Sequence, residues 1–160
     1  MTSTRLPISL LLAASVIVLG TALLSQFAGG LQPCELCLYE RWPYDAMIVL
    51  ALLALVSGKA VRMIVLVLAA LIFAGSSILS AYHVAIEQHW IEGPTACTGD
   101  VAANSPEALL RSLQGREPVL CDVVQWSFHG ISLAGLNLAV SLVLCAFAIW
   151  ALMRSREAER

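Results

Sequence analysis

Five cysteines are the residues of this chain best suited to chemistry: Cys34, Cys37, Cys97, Cys121 and Cys145. The first two form the motif Cys34-Glu35-Leu36-Cys37. A C-x-x-C pair serves as a redox couple, as half of a metal site, or occurs by chance. A four-thiolate zinc site ordinarily combines two such close pairs, whereas 23 residues separate Cys97 from Cys121. No metal is therefore expected, and a pair of structural disulfides stays open as the plain alternative.

The surroundings of the motif favour redox work. Pro33 precedes it, and a helix is expected to start at or just after it. Unpaired N–H groups and the dipole at a helix start favour thiolate over thiol. If that helix includes Cys37, Arg41 stands one turn on and on the same face, where a guanidinium would lower the Cys37 pKa further. Thiolate is the form that attacks a disulfide. The bland reading of Glu40 and Arg41 is an interfacial charge pair. At the top of a membrane helix, a lipid-soluble quinone can reach such a thiolate. It takes two electrons, the number a dithiol releases on closing to a disulfide, and Arg41 can stabilise the developing charge on a quinone oxygen.

The elements that position these residues are legible in the charges. Of 160 residues only 9 are basic and 11 acidic, 12% in all, and 59% are hydrophobic. That charge content is about half the roughly 25% of soluble domains, and a small soluble domain cannot hide so much apolar surface. A soluble globular enzyme and a disordered chain are both excluded, and a net charge of −2 does not suggest a nucleic-acid partner. Uncharged runs of 29, 24 and 31 residues follow Arg5, Arg62 and Asp122. A spanning helix needs about 20 apolar residues. A shorter run of 13 follows Asp45 and reaches full length only with residues 38–45.

The expected fold is all-α: one four-helix membrane domain over 1–160, with helices near 8–28, 38–57, 62–84 and 130–153. Arg5, Lys59, Arg62, Arg154, Arg156 and Arg160 lie on one side against Arg41, Arg111 and Arg116 on the other. The excess of positive charge puts both termini in the cytoplasm. Loops 29–37 and 85–129, with four of the cysteines, then face an oxidising compartment that permits disulfides.

Cys145 is left in the fourth helix as an apolar packing residue. The first segment is read as a span, because its apolar run exceeds that of a signal peptide. Ser105-Pro106-Glu107 reads as the start of a short loop helix that Gly115 ends. Small residues four apart, Thr21/Ser25, Ala70/Ala74 and Ser77/Ala81, offer close helix packing.

Gln32-Pro33-Cys34-Glu35-Leu36-Cys37-Leu38-Tyr39-Glu40-Arg41 resembles the Q-P-C-x-L-C-x-Y-E-R segment of the disulfide bond formation protein B (DsbB) family. Tyr82-His83 resembles that family's Y-H pair, and Gly93-Pro94-Thr95-Ala96-Cys97-Thr98-Gly99 resembles a branch with a shorter second loop. The resemblance implies a bacterial inner-membrane enzyme that reoxidises a periplasmic DsbA-like thioredoxin-fold oxidase and passes the electrons to ubiquinone or menaquinone. By position it implies a mixed disulfide through Cys97. Cys121 would pair with Cys97 at rest and with Cys34 during transfer, and Cys37 would face the quinone. It makes Arg41, His83 and Glu40 the quinone-site candidates; the bland reading of His83 is a polar anchor at the membrane interface. The shorter loop leaves room for a dedicated partner. The rival readings are a four-helix scaffold with structural disulfides and a relative of vitamin K epoxide reductase, although those enzymes carry their C-x-x-C late in the chain.

Overall fold

The computed structural model describes residues 4–94, 97, 106, 110 and 119–157. Its elements are α1 (Arg5–Phe27), α2 (Glu35–Tyr39), α3 (Trp42–Val56), α4 (Lys59–Glu87), a hairpin of β1 (Ser127–Phe128) and β2 (Ile131–Ser132), and α5 (Leu133–Glu157). The expected loop helix from Ser105 to Gly115 falls, apart from Pro106 and Leu110, outside the described residues.

Three helices, α1, α4 and α5, are long and apolar enough to cross a membrane. With α3 they pack into an all-α bundle whose buried centre includes Leu11, Met47, Leu66, Phe73 and Ala148. The outward faces carry large apolar side chains in the open: Ile17 is 66% exposed and Ile78 71%. In water such a surface would be a large exposed patch; in hydrocarbon it is the solvent-facing side. The protein is an integral membrane protein.

The expected helix over 38–57 is broken. The chain winds one turn as α2, stops at Glu40 and Arg41, and starts again at Trp42. The cause is Pro43 in the first turn of α3. It has no N–H for the carbonyl of Tyr39, and its ring disfavours continuation through the preceding turn. The Arg41 N–H reaches only to the Leu38 carbonyl, at 3.2 Å. The 15 residues of α3 span roughly 22 Å at about 1.5 Å each, less than the roughly 30 Å hydrocarbon core.

The fourth span begins at Leu133, not near residue 130. Residues His129 and Gly130 have φ of 50° and 83° and turn a tight hairpin that pairs Ser127 with Ser132 and Phe128 with Ile131. Two consecutive positive-φ residues are what a two-residue hairpin turn requires. Ser132 then caps α5, its hydroxyl accepting from the Gly135 N–H at 3.1 Å and donating to the Glu87 carboxylate at the end of α4. At the other end of the bundle Arg62, in the first turn of α4, is buried. It donates to Thr4 Oγ1 at 3.0 Å and to the Ser57 carbonyl at 2.6 Å, tying α1 to the α3–α4 turn. The Thr21 and Ser25 hydroxyls bond the carbonyls of Ile17 and Thr21 within α1.

A buried polar chain links α3, α4 and α5. Tyr44 donates to Asn137 Oδ1 at 2.5 Å, and Asn137 donates to Ser80 Oγ at 2.8 Å. Ser141 Oγ lies 3.1 Å from Tyr44 Oη and 2.9 Å from Ser76 Oγ. Replacing Asn137 with Leu takes away the acceptor of the 2.5 Å Tyr44 hydrogen bond and strands the Ser80 hydroxyl in an apolar interior. The expected loss is about 1–3 kcal/mol, read as a lower thermal midpoint of the detergent-solubilised protein; Leu142→Ala, on the exposed face of α5, serves as the neutral comparison.

Candidate functional site

The site is built where α1 gives way to α2. Gly29 lets the chain leave α1, since a Cβ there would lie 2.6 Å from the Ser25 carbonyl oxygen. The chain then runs extended to Cys34, which caps α2 by accepting the Cys37 N–H at 3.2 Å. The Cys34 and Cys37 sulfurs are 2.7 Å apart and unbonded.

His83, on α4, packs against them. Its Nε2 is 3.6 Å from Cys34 Sγ and its Nδ1 is 3.1 Å from Glu40 Oε1. Both side chains are buried, His83 2% exposed and Glu40 7%. A carboxylate beside Nδ1 fixes a proton there, so Nε2 faces the sulfur. A neutral ring accepts the Cys34 thiol proton, and a protonated ring donates to its thiolate. Glu40 is no surface charge, and His83 is no interfacial anchor. The break at Pro43 is what turns Glu40 inward.

Arg41 goes elsewhere. Its Nη1 donates to Gln26 Oε1 at 2.7 Å, across to α1. The helix expected to stack Arg41 over Cys37 is interrupted between them, so the expected lowering of the Cys37 pKa by this guanidinium is not found. The Cys37 sulfhydryl hydrogen bond holds Cys34 below the ordinary thiol range, with burial opposing and the Cys37 N–H assisting. Cys37, as the partner in that bond and itself buried, is pushed up.

The second pair lies directly above. Cys97 and Cys121 form a disulfide with Cα atoms 5.1 Å apart, and the Cys121 N–H donates to the Cys97 carbonyl at 2.7 Å. Both sulfurs are buried in one cluster with Cys34, Leu36 and Ile86, and Cys37 packs against it. Glu35, inside the first motif, brings Oε2 to 3.7 Å from Cys97 Sγ. Four cysteines from two loops thus share one small volume. Cys145 stands apart in α5, its thiol donating to the Ala70 carbonyl at 3.4 Å, as a packing residue.

Beneath the sulfurs lies a cavity of about 300 Å³, lined mainly by apolar groups from α1 and α5, with Cys34, Cys37, Arg41, Tyr44, His83 and Asn137 among its walls. Sequence reasoning missed Gln26, Tyr44 and Asn137. The available signal was the carboxamide: Asn137 is one amide within the 31-residue uncharged run of the fourth span, where an unpaired polar group is costly.

A family model described as disulfide bond formation protein DsbB matches residues 4–151. The chain belongs to the DsbB family. Disulfide bond formation protein B of Aromatoleum aromaticum is 30% identical over 166 residues, covering 96% of this chain and 95% of that one. Disulfide bond formation protein B of Acinetobacter baumannii is 31% identical over 162 residues, covering 95% and 92%. An uncharacterized protein, RP370, of Rickettsia prowazekii is 28% identical over 142 residues, covering 86% and 81%. No solved structure matches significantly. The protein is a disulfide-forming membrane oxidoreductase, and its cysteine geometry belongs to that chemistry.

The direction of the Cys34 shift has a measurable consequence. A lowered thiol keeps its thiolate to lower pH, so iodoacetamide labelling of Cys34 in the reduced protein should reach half-maximal rate below the pH of an ordinary thiol. Cys37→Ala removes the leading hydrogen bond and should move that midpoint upward. Quantitative mass spectrometry of the labelled peptide checks both; an unmoved midpoint contradicts the assignment.

Proposed function

We propose that this protein reoxidises a periplasmic DsbA-like thioredoxin-fold oxidase and delivers the electrons to a membrane quinone, from the bacterial inner membrane with its termini cytoplasmic and its cysteine loops periplasmic. The observation that carries the reading is the stacking of two cysteine pairs in one buried cluster above an apolar cavity. A structural scaffold has no need of a second cysteine pair between a disulfide and a cavity. The early C-x-x-C also argues against the vitamin K epoxide reductase plan.

The relay is a series of exchanges. A partner thiolate attacks Cys97, the Cys97–Cys121 bond breaks, and a mixed disulfide forms. Cys121, now a thiolate, attacks Cys34 of the closed Cys34–Cys37 pair and releases Cys37. Once Cys34 is bonded to Cys121 it no longer competes for the proton, so Cys37 leaves as thiolate toward the cavity; a leaving group of lower pKa speeds exchange. The partner's second thiolate resolves the mixed disulfide, and Cys97 re-forms its bond to Cys121, leaving Cys34 and Cys37 reduced. His83, held by Glu40, takes and returns the proton at Cys34 Sγ.

Quinone fits the cavity by size and lining. About 300 Å³ is at the lower end of small-molecule pockets, enough for a ring with its tail among α1 and α5 side chains. Arg41 and His83 are the polar groups able to hold ring oxygens. A bound quinone supplies the acceptor for two electrons and two protons as Cys34 and Cys37 close.

The test mixes purified protein, ubiquinone or menaquinone, and a reduced thioredoxin-fold oxidase, and follows quinone absorbance. A cysteine-dependent decrease is expected, and its absence removes the reading. Cys37→Ser should abolish turnover with the fold intact. Cys145→Ala should leave it nearly unchanged. Arg41→Ala should raise the apparent KM for quinone about tenfold, the loss of one charge-assisted hydrogen bond; an unchanged KM sinks its assigned role.

A further inference from the structure

Cys34 Sγ, Cys37 Sγ and a ring nitrogen of His83 lie within 4.8 Å of one another. These are two thiols and an imidazole, the donor types that take thiophilic d10 cations. The set differs from the four-cysteine site weighed from the sequence: Cys97 and Cys121 are consumed in a disulfide, and the third donor comes from α4. We propose that the reduced Cys34–Cys37 pair and His83 form a binding site for a thiophilic divalent cation such as Zn²⁺, which exists only while that pair is open.

The geometry needs little adjustment. Two sulfurs about 2.3 Å from one tetrahedral ion stand roughly 3.8 Å apart, so the present 2.7 Å separation widens by about an ångström. Half-buried Cys37 has the freedom to make that turn. The 3.6 Å between His83 Nε2 and Cys34 Sγ already suits two donors on one ion.

Behind the imidazole, Glu40 accepts from Nδ1 at 3.1 Å. That is the carboxylate–histidine arrangement that directs a free Nε2 lone pair at a metal and raises its basicity. Cys34, Cys37 and His83 all line the cavity, which leaves room for a fourth ligand. On binding, the two thiols give up their protons to solvent, two metal–sulfur bonds form, and no electron changes hands. While the ion is held the dithiol cannot close. Cation binding itself requires neither quinone nor partner, so it stands or falls apart from the proposed relay.

The experiment uses the full chain in detergent, with Cys97→Ser and Cys121→Ser removing the other redox pair. It is titrated with Cd²⁺ as probe, in the oxidised and the reduced form, following cadmium–thiolate absorbance and proton release. The expected result is one Cd²⁺ per reduced chain, proton release on binding, and none bound when Cys34 and Cys37 are joined. In the same background His83→Ala should weaken binding at least tenfold, and Glu40→Ala about tenfold to a hundredfold. Because the oxidised and reduced forms are the same double-serine polypeptide, a difference between them reports the state of the Cys34–Cys37 pair and not a further substitution. Equal binding by the two forms, no binding by the reduced form, or unchanged affinity in His83→Ala overturns the proposal.

Discussion

The site depends on a helix that cannot continue. Pro43 has no hydrogen to give the carbonyl of Tyr39, so α2 ends after one turn and α3 begins afresh. The two residues in the gap, Glu40 and Arg41, are charged. An unbroken helix would keep Arg41 one turn beyond Cys37. The break sends them apart: Glu40 turns under α2 to His83, and Arg41 reaches across to Gln26 on α1. The cavity opens below that joint.

A buried carboxylate such as that of Glu40 is costly unless it is paired. Glu40 is satisfied by an imidazole, which in turn faces a thiol. The line Glu40–His83–Cys34 therefore combines two demands in one set of contacts. It neutralises a buried acid, and it gives a sulfur a proton partner whose orientation is fixed. Tyr44, Asn137, Ser80 and Ser141 continue the polar interior downward, every hydroxyl and amide partnered by another. Such a chain keeps α3, α4 and α5 in register where apolar packing alone leaves helices free to slide.

The cysteines divide the labour by position. The Cys97–Cys121 bond is carried on the long loop and caps the cluster, whereas Cys34 and Cys37 form its floor against the cavity. Glu35, between the two lower cysteines, brings a carboxylate oxygen to 3.7 Å from Cys97 Sγ of the upper disulfide.

Much of this was legible in the chain itself. Charge gaps located the long spans because hydrocarbon excludes charge regardless of tertiary detail, and the ten residues from Gln32 to Arg41 carried the family. The separation of Cys145 from the other four followed from the same gaps. Local rules left other features available but unread: Pro43 marked the helix break, and His129-Gly130 marked the turn that delays α5. What the tertiary structure alone decided is who meets whom. His83 stands 49 residues from Cys34 and 43 from Glu40 in sequence, and Asn137 stands 93 from Tyr44. No periodicity within one helix encodes those meetings, because they depend on the rotation and depth of each helix against its neighbours. The shifts of the two thiols were decided there too: they follow from burial and from hydrogen bonds at the start of α2, not from the presence of an arginine four residues away.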